Sequence, residues 1–273
     1  MSSAFMEIAS KIKHKQIADS LKREKRLDGR ALTEYRNIEI LVRPIKKAEG
    51  SAQVSLGKTK VLVGVKIDIG EPFPDTPEEG VMTVNAEFLP LASPSFETGP
   101  PDENSIELAR VVDRGLRESK VLDTKKLCIL PGKKVLVIFV DIYILDHDGN
   151  LFDASALASL VAIMTAKIPN YEIEKGEVKI LEGLQGLPVQ NYPIATTFAK
   201  IDSSLIVDPT LEEESAMDAR LTISTKQNGN ICAMQKGLEG TFTVEEIQRA
   251  VVIAQEKGEE LRAKALALGV RNG

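Results

Sequence analysis

Asp146-His147-Asp148-Gly149-Asn150-Leu151-Phe152-Asp153-Ala154 is the stretch on which the fold of this chain turns. An apolar run, Val135 to Leu145, leads into it, and a small-residue helical pattern, Ala154 to Ala166, follows it. A strand, a tight turn and a helix start form a place where backbone N–H groups and the helix dipole hold an anion. Yet Asn150, Leu151 and Phe152 bring no positive charge. The frame of an anion-binding loop is present without its binding groups.

Upstream, Phe5, Ile8, Ile12, Ile17 and Leu21 keep helical spacing and predict an amphipathic helix over 4–24, stopped by Gly29 and packed on the body of the protein or on a neighbour. The period then changes to two. Strands are expected at Asn37–Val42, at Ser51–Leu56 and Lys60–Asp68 joined through Gly57-Lys58, and at Val81–Phe88. Residues 89–104, with four prolines, read as a long loop. A helix over Ile106–Ser119 follows, with Asn104 or Ser105 as N-cap, then a strand over Lys133–Leu145. Downstream, the helix opened by Ala154 is expected to end near Lys167, with Pro169 as its stop. Strands are expected at Pro193–Ile201, Leu205–Val207, Asp218–Thr225 and Ile231–Gln235, the last two flanking Asn228-Gly229. Thr243 and Glu246 make a capping box for a final helix reaching Leu268 and Gly269. Strand-rich segments followed by helices, twice over, give an α+β architecture of mixed β-sheets with packed helices and two subdomains. The expected division is an N-terminal helix and extension over 1–30, a first domain over 31–185 and a second over 186–273.

Bulk properties narrow the classes. The 273 residues are 43% hydrophobic and 27% charged, ordinary values for a globular protein. Net charge is -5, so any nucleic-acid surface must be local. No apolar run reaches the roughly 18 residues needed to span a membrane, and Lys11, Lys13 and Lys15 interrupt any signal-peptide core, which points to the cytoplasm and to no membrane partner. Cys128 and Cys232 read as small buried hydrophobes in a reducing compartment.

Gly57-Lys58-Thr59 is not a P-loop: position 52 is Ala where the motif needs Gly, and a strand follows where it needs a helix. Asp146-His147-Asp148-Gly149 departs from a calcium loop, with Gly fourth and Leu157 twelfth, and two histidines supply a zinc site poorly; no metal or cofactor is expected, and a polar helix-capping turn is. Arg110, Arg114 and Arg117 share one stripe of their helix, opposite Leu108, Val111, Val112 and Leu116. That stripe is either a solvated face paired with Glu107, Asp113 and Glu118 or a basic track for phosphates. Glu212-Glu213-Glu214 and Asp218 are either a solvated turn or the holder of a general acid or a magnesium ion.

Taken together, Arg26-Leu27-Asp28-Gly29-Arg30, Arg36-Asn37-Ile38, Glu49-Gly50-Ser51-Ala52, Gly57 to Val61, Glu107 to Ser119 and Asp148-Gly149 with Ala154 resemble the RNase PH family over nearly the whole chain, from about 26 to 268. The stretch from Phe96 to Arg117 is most similar to the non-catalytic RNase PH-like subunit of the archaeal exosome. The resemblance implies an RNase PH-like fold (ribosomal protein S5 domain 2-like) and 3′→5′ phosphorolytic RNA degradation by an alternating six-membered ring, a trimer of heterodimers. The implied partners are a catalytic RNase PH-like paralogue, single-stranded RNA and RNA-binding cap subunits. Active members follow the loop's Asp-Gly with small residues and an Arg, so Gly149, Asn150, Leu151 and Phe152 mark a degenerate phosphate site, with Asp218 as a residual acid. No catalytic residue is expected here. Arg110 and Arg114, with Arg117 weaker, are the expected RNA contacts. The alternatives are an active phosphate-dependent exoribonuclease in its own right, or a free-standing RNA-binding module.

Overall fold

The computed structural model describes residues 3–174 and 177–269. Helix α1, Ser3–Leu21, is followed by strands β1 (Ile38–Val42), β2 (Gly50–Leu56), β3 (Thr59–Gly70) and β4 (Val81–Phe88), then helix α2 (Glu103–Glu118). A 3-10 turn at Thr124–Leu127 leads to β5 (Cys128–Leu130), β6 (Lys134–Asp146), helix α3 (Leu151–Met164), β7 (Lys167–Glu174) and β8 (Glu177–Gly186). The last part comprises β9 (Ile194–Ile201), β10 (Ser204–Val207), the short helix α4 (Leu211–Glu214), β11 (Ala219–Thr225), β12 (Ile231–Gly237) and α5 (Val244–Gly269).

One sheet runs β1-β2-β3-β6-β4 with β5 beside β6; a second runs β10-β9-β11-β12; β7 and β8 form a separate ribbon. Among the described residues, only β4 and β6 pair in parallel, and every other strand pairing is antiparallel. Alternation explains the first sheet: Val61, Val63 and Val65 on β3 and Ile138, Val140, Ile142 and Ile144 on β6 all point inward. Helix α3 lies against β2 and β3 on one side and β9 on the other. It is therefore buried nearly all round, from Leu151 to Ile163, which its Ala- and Ser-rich sequence allows. Helix α2 packs on β4, α3 and β12, and α5 covers β9 and β11. This is the α+β arrangement expected from the sequence.

Several boundaries differ. Helix α1 ends at Leu21, well before Gly29, because Glu24 takes a left-handed conformation (φ 56°) that turns the chain out. Its Ile17, Ala18 and Leu21 pack on Ala199, Ile201, Ile206 and Ala216, so this helix docks on its own chain; Ile12 is exposed, and the side chains of Phe5 and Ile8 lie outside the described residues. The N-cap of α2 is Asp102, whose carboxylate accepts from the Ser105 N–H at 2.8 Å, rather than Asn104 or Ser105. Helix α3 begins at Leu151, three residues before Ala154, and Thr165 ends it by donating its hydroxyl to the Val161 carbonyl. Pro169 sits inside β7, at a register shift in a two-stranded ribbon. The acidic run at 212–214 is a helical turn with a complete capping box from Thr210 and Glu213, not a solvated turn. Cys128 and Cys232 are only half-buried and unpaired, since β5 and β12 lie at sheet margins. Among the described residues, no helix is long and apolar enough to cross a membrane.

Candidate functional site

The loop between β6 and α3 bends at Gly149, where φ is +86° and a Cβ would meet the Leu211 N atom at 2.5 Å. The left-handed glycine and this close approach seat the loop against the start of α4. Asn150, also left-handed at φ 52°, is the N-cap of α3 and fully buried. Its side-chain Nδ2 donates to Asp153 Oδ2 (3.0 Å) and Asp208 Oδ1 (2.8 Å). Its backbone N–H donates to Glu214 Oε1 at 2.8 Å. A carboxylate of the chain itself thus occupies the place at the helix start where an external anion would be held. Thr59 fastens the other side of the loop, accepting from the Asp148 N–H at 3.1 Å and donating to the Gly149 carbonyl at 2.6 Å. Leu151 and Phe152 are buried in the first turn of α3.

Behind the loop runs a polar seam. Asp208, fully buried, accepts from Arg30 (2.8 Å) and from Nε and Nη2 of Arg36 (3.0 and 2.7 Å). Arg36 also donates to the Asp148 carbonyl at 2.6 Å. Arg26 forms a two-pronged ion pair with Glu213 and donates to the carbonyls of Val207 (2.7 Å) and Asp208 (2.8 Å). Asp153 accepts from Tyr35 Oη, the Thr197 hydroxyl and the Thr197 N–H, at 2.7, 2.7 and 3.0 Å. Burial pushes the Asp153 carboxyl up to about 6, although each of these bonds favours its charge. Burial likewise pushes Glu214 up to about 7, against the Asn150 amide and the Arg220 and Arg36 guanidiniums, which lower it.

Helix α2 presents its arginines to solvent. Arg117 is committed to Asp113 (2.7 Å) and to the Met82 carbonyl (2.8 Å). Arg114 reaches Gln235 Oε1 at 3.4 Å, and Arg110 is exposed with no ion-pair or hydrogen-bond partner among the described residues. On the inner side of the same helix, Glu107 pairs with Arg220 of β11, whose guanidinium lies 4.1 Å from the centre of the Phe152 ring. The loop leading into α2 is held by Phe96, which meets Phe88 at a tilt (4.7 Å) and stacks on His147 (5.4 Å). It borders an open cavity of about 710 Å³ with Glu87, Glu97, Asp102 and Asp141 in its walls.

The structure places Asp218 elsewhere. Its carboxylate accepts from the Asp202 N–H at 2.7 Å and faces His14 of α1, so the acid at the degenerate loop is Glu214 rather than Asp218. The side chain of β11 that reaches the loop is Arg220, whereas Asp218 lies before the strand begins and is held by the Asp202 N–H. Arg26, Arg30 and Arg36 stood in the motifs that suggested the family, but their buried pairing with Asp208 and Glu213 had no local signal. Those partners lie more than 170 residues away.

Comparison with known proteins fits this geometry. Residues 34–169 match the model of the 3′ exoribonuclease family, domain 1, and residues 191–257 match its domain 2. The chain is 54% identical over 263 residues to the exosome complex component Rrp42 of Thermococcus kodakarensis, covering 96% of this chain and 97% of that one. It is 52% identical over 257 residues to the protein of that name from Methanothermobacter thermautotrophicus, covering 94% and 95%. Among solved structures it superposes on a chain of the Archaeoglobus fulgidus exosome with RNA bound to the active site, with a TM-score of 0.85, 47% identity, and coverage of 94% of this chain and 99% of that one. Rice Rrp46, at 17% identity and a TM-score of 0.69, shares the fold. With both matched domains in one RNase PH-like fold, the chain belongs to the 3′ exoribonuclease family.

Proposed function

We propose that this chain is a subunit of an archaeal-type exosome ring that degrades RNA 3′→5′ by phosphorolysis, and that it positions RNA and supports a catalytic paralogue without carrying out the reaction. The ring membership rests on the names and near full-length identity of its relatives. The proposed partners are a catalytic RNase PH-like paralogue alternating with it, single-stranded RNA, and RNA-binding cap subunits.

The observation that carries the non-catalytic reading is Glu214 on the Asn150 N–H. Phosphorolysis needs inorganic phosphate held in line with the scissile bond. Here the Glu214 carboxyl occupies the loop amide, shutting phosphate out by position and, once ionised, by charge, while Leu151 and Phe152 fill the first turn of α3 with apolar groups. Losing one preorganised donor costs on the order of 10² in rate, and here the amide is taken by Glu214 and the loop carries no Lys or Arg. Gly149 and Asn150 keep the turn and the helix cap, which the fold needs whatever the chemistry. Arg110 and Arg114 are the proposed RNA phosphate contacts: both are exposed and Arg114 makes only a long bond to Gln235 (3.4 Å), whereas Arg117 is held by its own chain.

The test is shortening of poly(A) in phosphate by the purified chain, by a catalytic paralogue, and by the two mixed. Activity only in preparations containing the paralogue, with a mixed species of about six chains, is expected. Phosphate-dependent shortening by this chain alone would make it an active exoribonuclease.

A further inference from the structure

The docking of α1 has a chemical consequence at its C-terminal half. Ile17, Ala18 and Leu21 seat the helix on the outer side of the second sheet. His14, one turn earlier on the helix, is thereby brought over the β9–β10 turn and the residue that precedes β11. Its Nε2 lies 3.9 Å from Asp218 Oδ1, and the ligating atoms of His14, Asp202 and Asp218 all lie within 4.8 Å of one another. Among the described residues this is the one cluster of three or more potential metal ligands.

We propose that His14, Asp202 and Asp218 form a binding site for one divalent first-row transition ion, of the Zn²⁺ or Mn²⁺ class, that pins α1 to the second sheet. One imidazole nitrogen and two carboxylate oxygens suit such an ion, whereas Ca²⁺ asks for six to eight oxygens. Three protein ligands on one side leave the other positions to water. The three groups come from separate segments: a helix, a hairpin turn and a strand entry. The Asp202 N–H donates to Asp218 Oδ2 at 2.7 Å, which turns the other oxygen, Oδ1, toward His14. An outer hydrogen bond of this kind orients a ligating carboxylate. Lys22 Nζ, 3.2 Å from Asp202 Oδ2, is the cation that neutralises this carboxylate in the empty site, and a bound ion displaces it. Metal–ligand distances of about 2.0–2.2 Å require the donors to close by roughly 1 Å. The side chains are 35%, 42% and 46% exposed, so no packing opposes that rotation.

The full chain, stripped with a chelator and titrated with Zn²⁺ in a calorimeter, is expected to bind one equivalent in the micromolar range. His14→Ala and Asp218→Asn should each weaken that binding by tenfold or more. Zn²⁺ should also raise the melting temperature of the parent by a few degrees and leave that of His14→Ala unmoved, and it should slow proteolysis within α1. His14 is partly exposed and outside the packed contacts of α1, so the variant is expected to fold, and its unperturbed circular dichroism would confirm this. Absence of binding by the parent would overturn the proposal. So would Zn²⁺ binding that His14→Ala leaves unchanged, which would point to His147 or the free cysteines.

Discussion

The Asn150 backbone N–H donates to Glu214 Oε1 at 2.8 Å, so the start of α3 is closed by a carboxyl group that arrives from the second half of the chain. Glu214 is held between that amide, the Arg36 and Arg220 guanidiniums, and Asp208, and its acidity is set by this enclosure.

Stability should carry the signature of this carboxyl. Its pKa rises from an ordinary 4.5 to about 7 on folding, so between those values the folded state keeps a proton the unfolded state has released. The stabilisation is full below about pH 4.5 and is lost as pH rises through 7. Asp153, raised from 3.8 to about 6, acts in the same sense at lower pH. Glu214→Gln keeps an acceptor for the Asn150 amide and removes the titration. Urea unfolding at pH 5, 6, 7 and 8 should show the parent losing stability relative to the variant across that window. A parent-minus-variant difference that is flat with pH would show that Glu214 titrates normally.

The α2 arginines should separate by their commitments. In the assembled ring, Arg110→Glu with Arg114→Glu is expected to weaken RNA binding and to lower the salt dependence of log K by about 0.7 for each lost phosphate contact. Arg117→Ala should change RNA affinity least, because its guanidinium is already given to Asp113 and the Met82 carbonyl. Filter binding across a salt series, with ring mass checked by light scattering, measures both. Equal effects of all three sites would reject this ranking.

The buried ion pair between Arg26 and Glu213 should be costly to break from one side. The two side chains are 0% and 5% exposed, and Arg26 also serves the backbone carbonyls of Glu34, Val207 and Asp208. Arg26→Met leaves a carboxylate and those carbonyls without their donor, and a loss of about 3–5 kcal/mol is expected. Glu213→Gln, which can still accept a hydrogen bond, should cost less. Denaturant midpoints at constant slope give the comparison.

Two left-handed glycines should respond differently to alanine. Gly29 (φ +87°) has open space where a Cβ would stand, so Gly29→Ala should cost only the conformational penalty of about 1–2 kcal/mol. At Gly149 a Cβ would meet Leu211 N at 2.5 Å and Pro209 O at 2.6 Å. Overpacking then adds to the strain, for a total of roughly 2–5 kcal/mol. Thermal melts that rank Gly29→Ala as the more damaging change would contradict the close approach of the loop to α4.

What was legible in the sequence was local. Gly57-Lys58, Asn228-Gly229 and the Thr243–Glu246 box each act within a few residues, and the hairpins and the start of α5 followed from them. The start of α3 was misplaced because Asn150 is held left-handed by Asp208, 58 residues on. Pro169 read as a helix stop, yet in a two-stranded ribbon at a register shift its missing N–H is tolerated. The empty anion frame was visible in Asn150, Leu151 and Phe152. What fills it was not, since Glu214 stood in an acidic run that reads as a solvated surface.

Asp208 makes the two halves of the molecule one cooperative unit. It accepts from Arg30 and Arg36, more than 170 residues upstream, and from the Asn150 side chain. Cutting the chain between its matched segments would leave Arg36 and Asn150 on one fragment and Asp208 on the other, each stripped of its partner. Every such orphan costs about 1–3 kcal/mol or more, a large part of a domain's net stability. The border between the two family segments is therefore a border in sequence and not in folding: neither half is expected to stand alone, and a single nick in the β7–β8 ribbon should leave them joined.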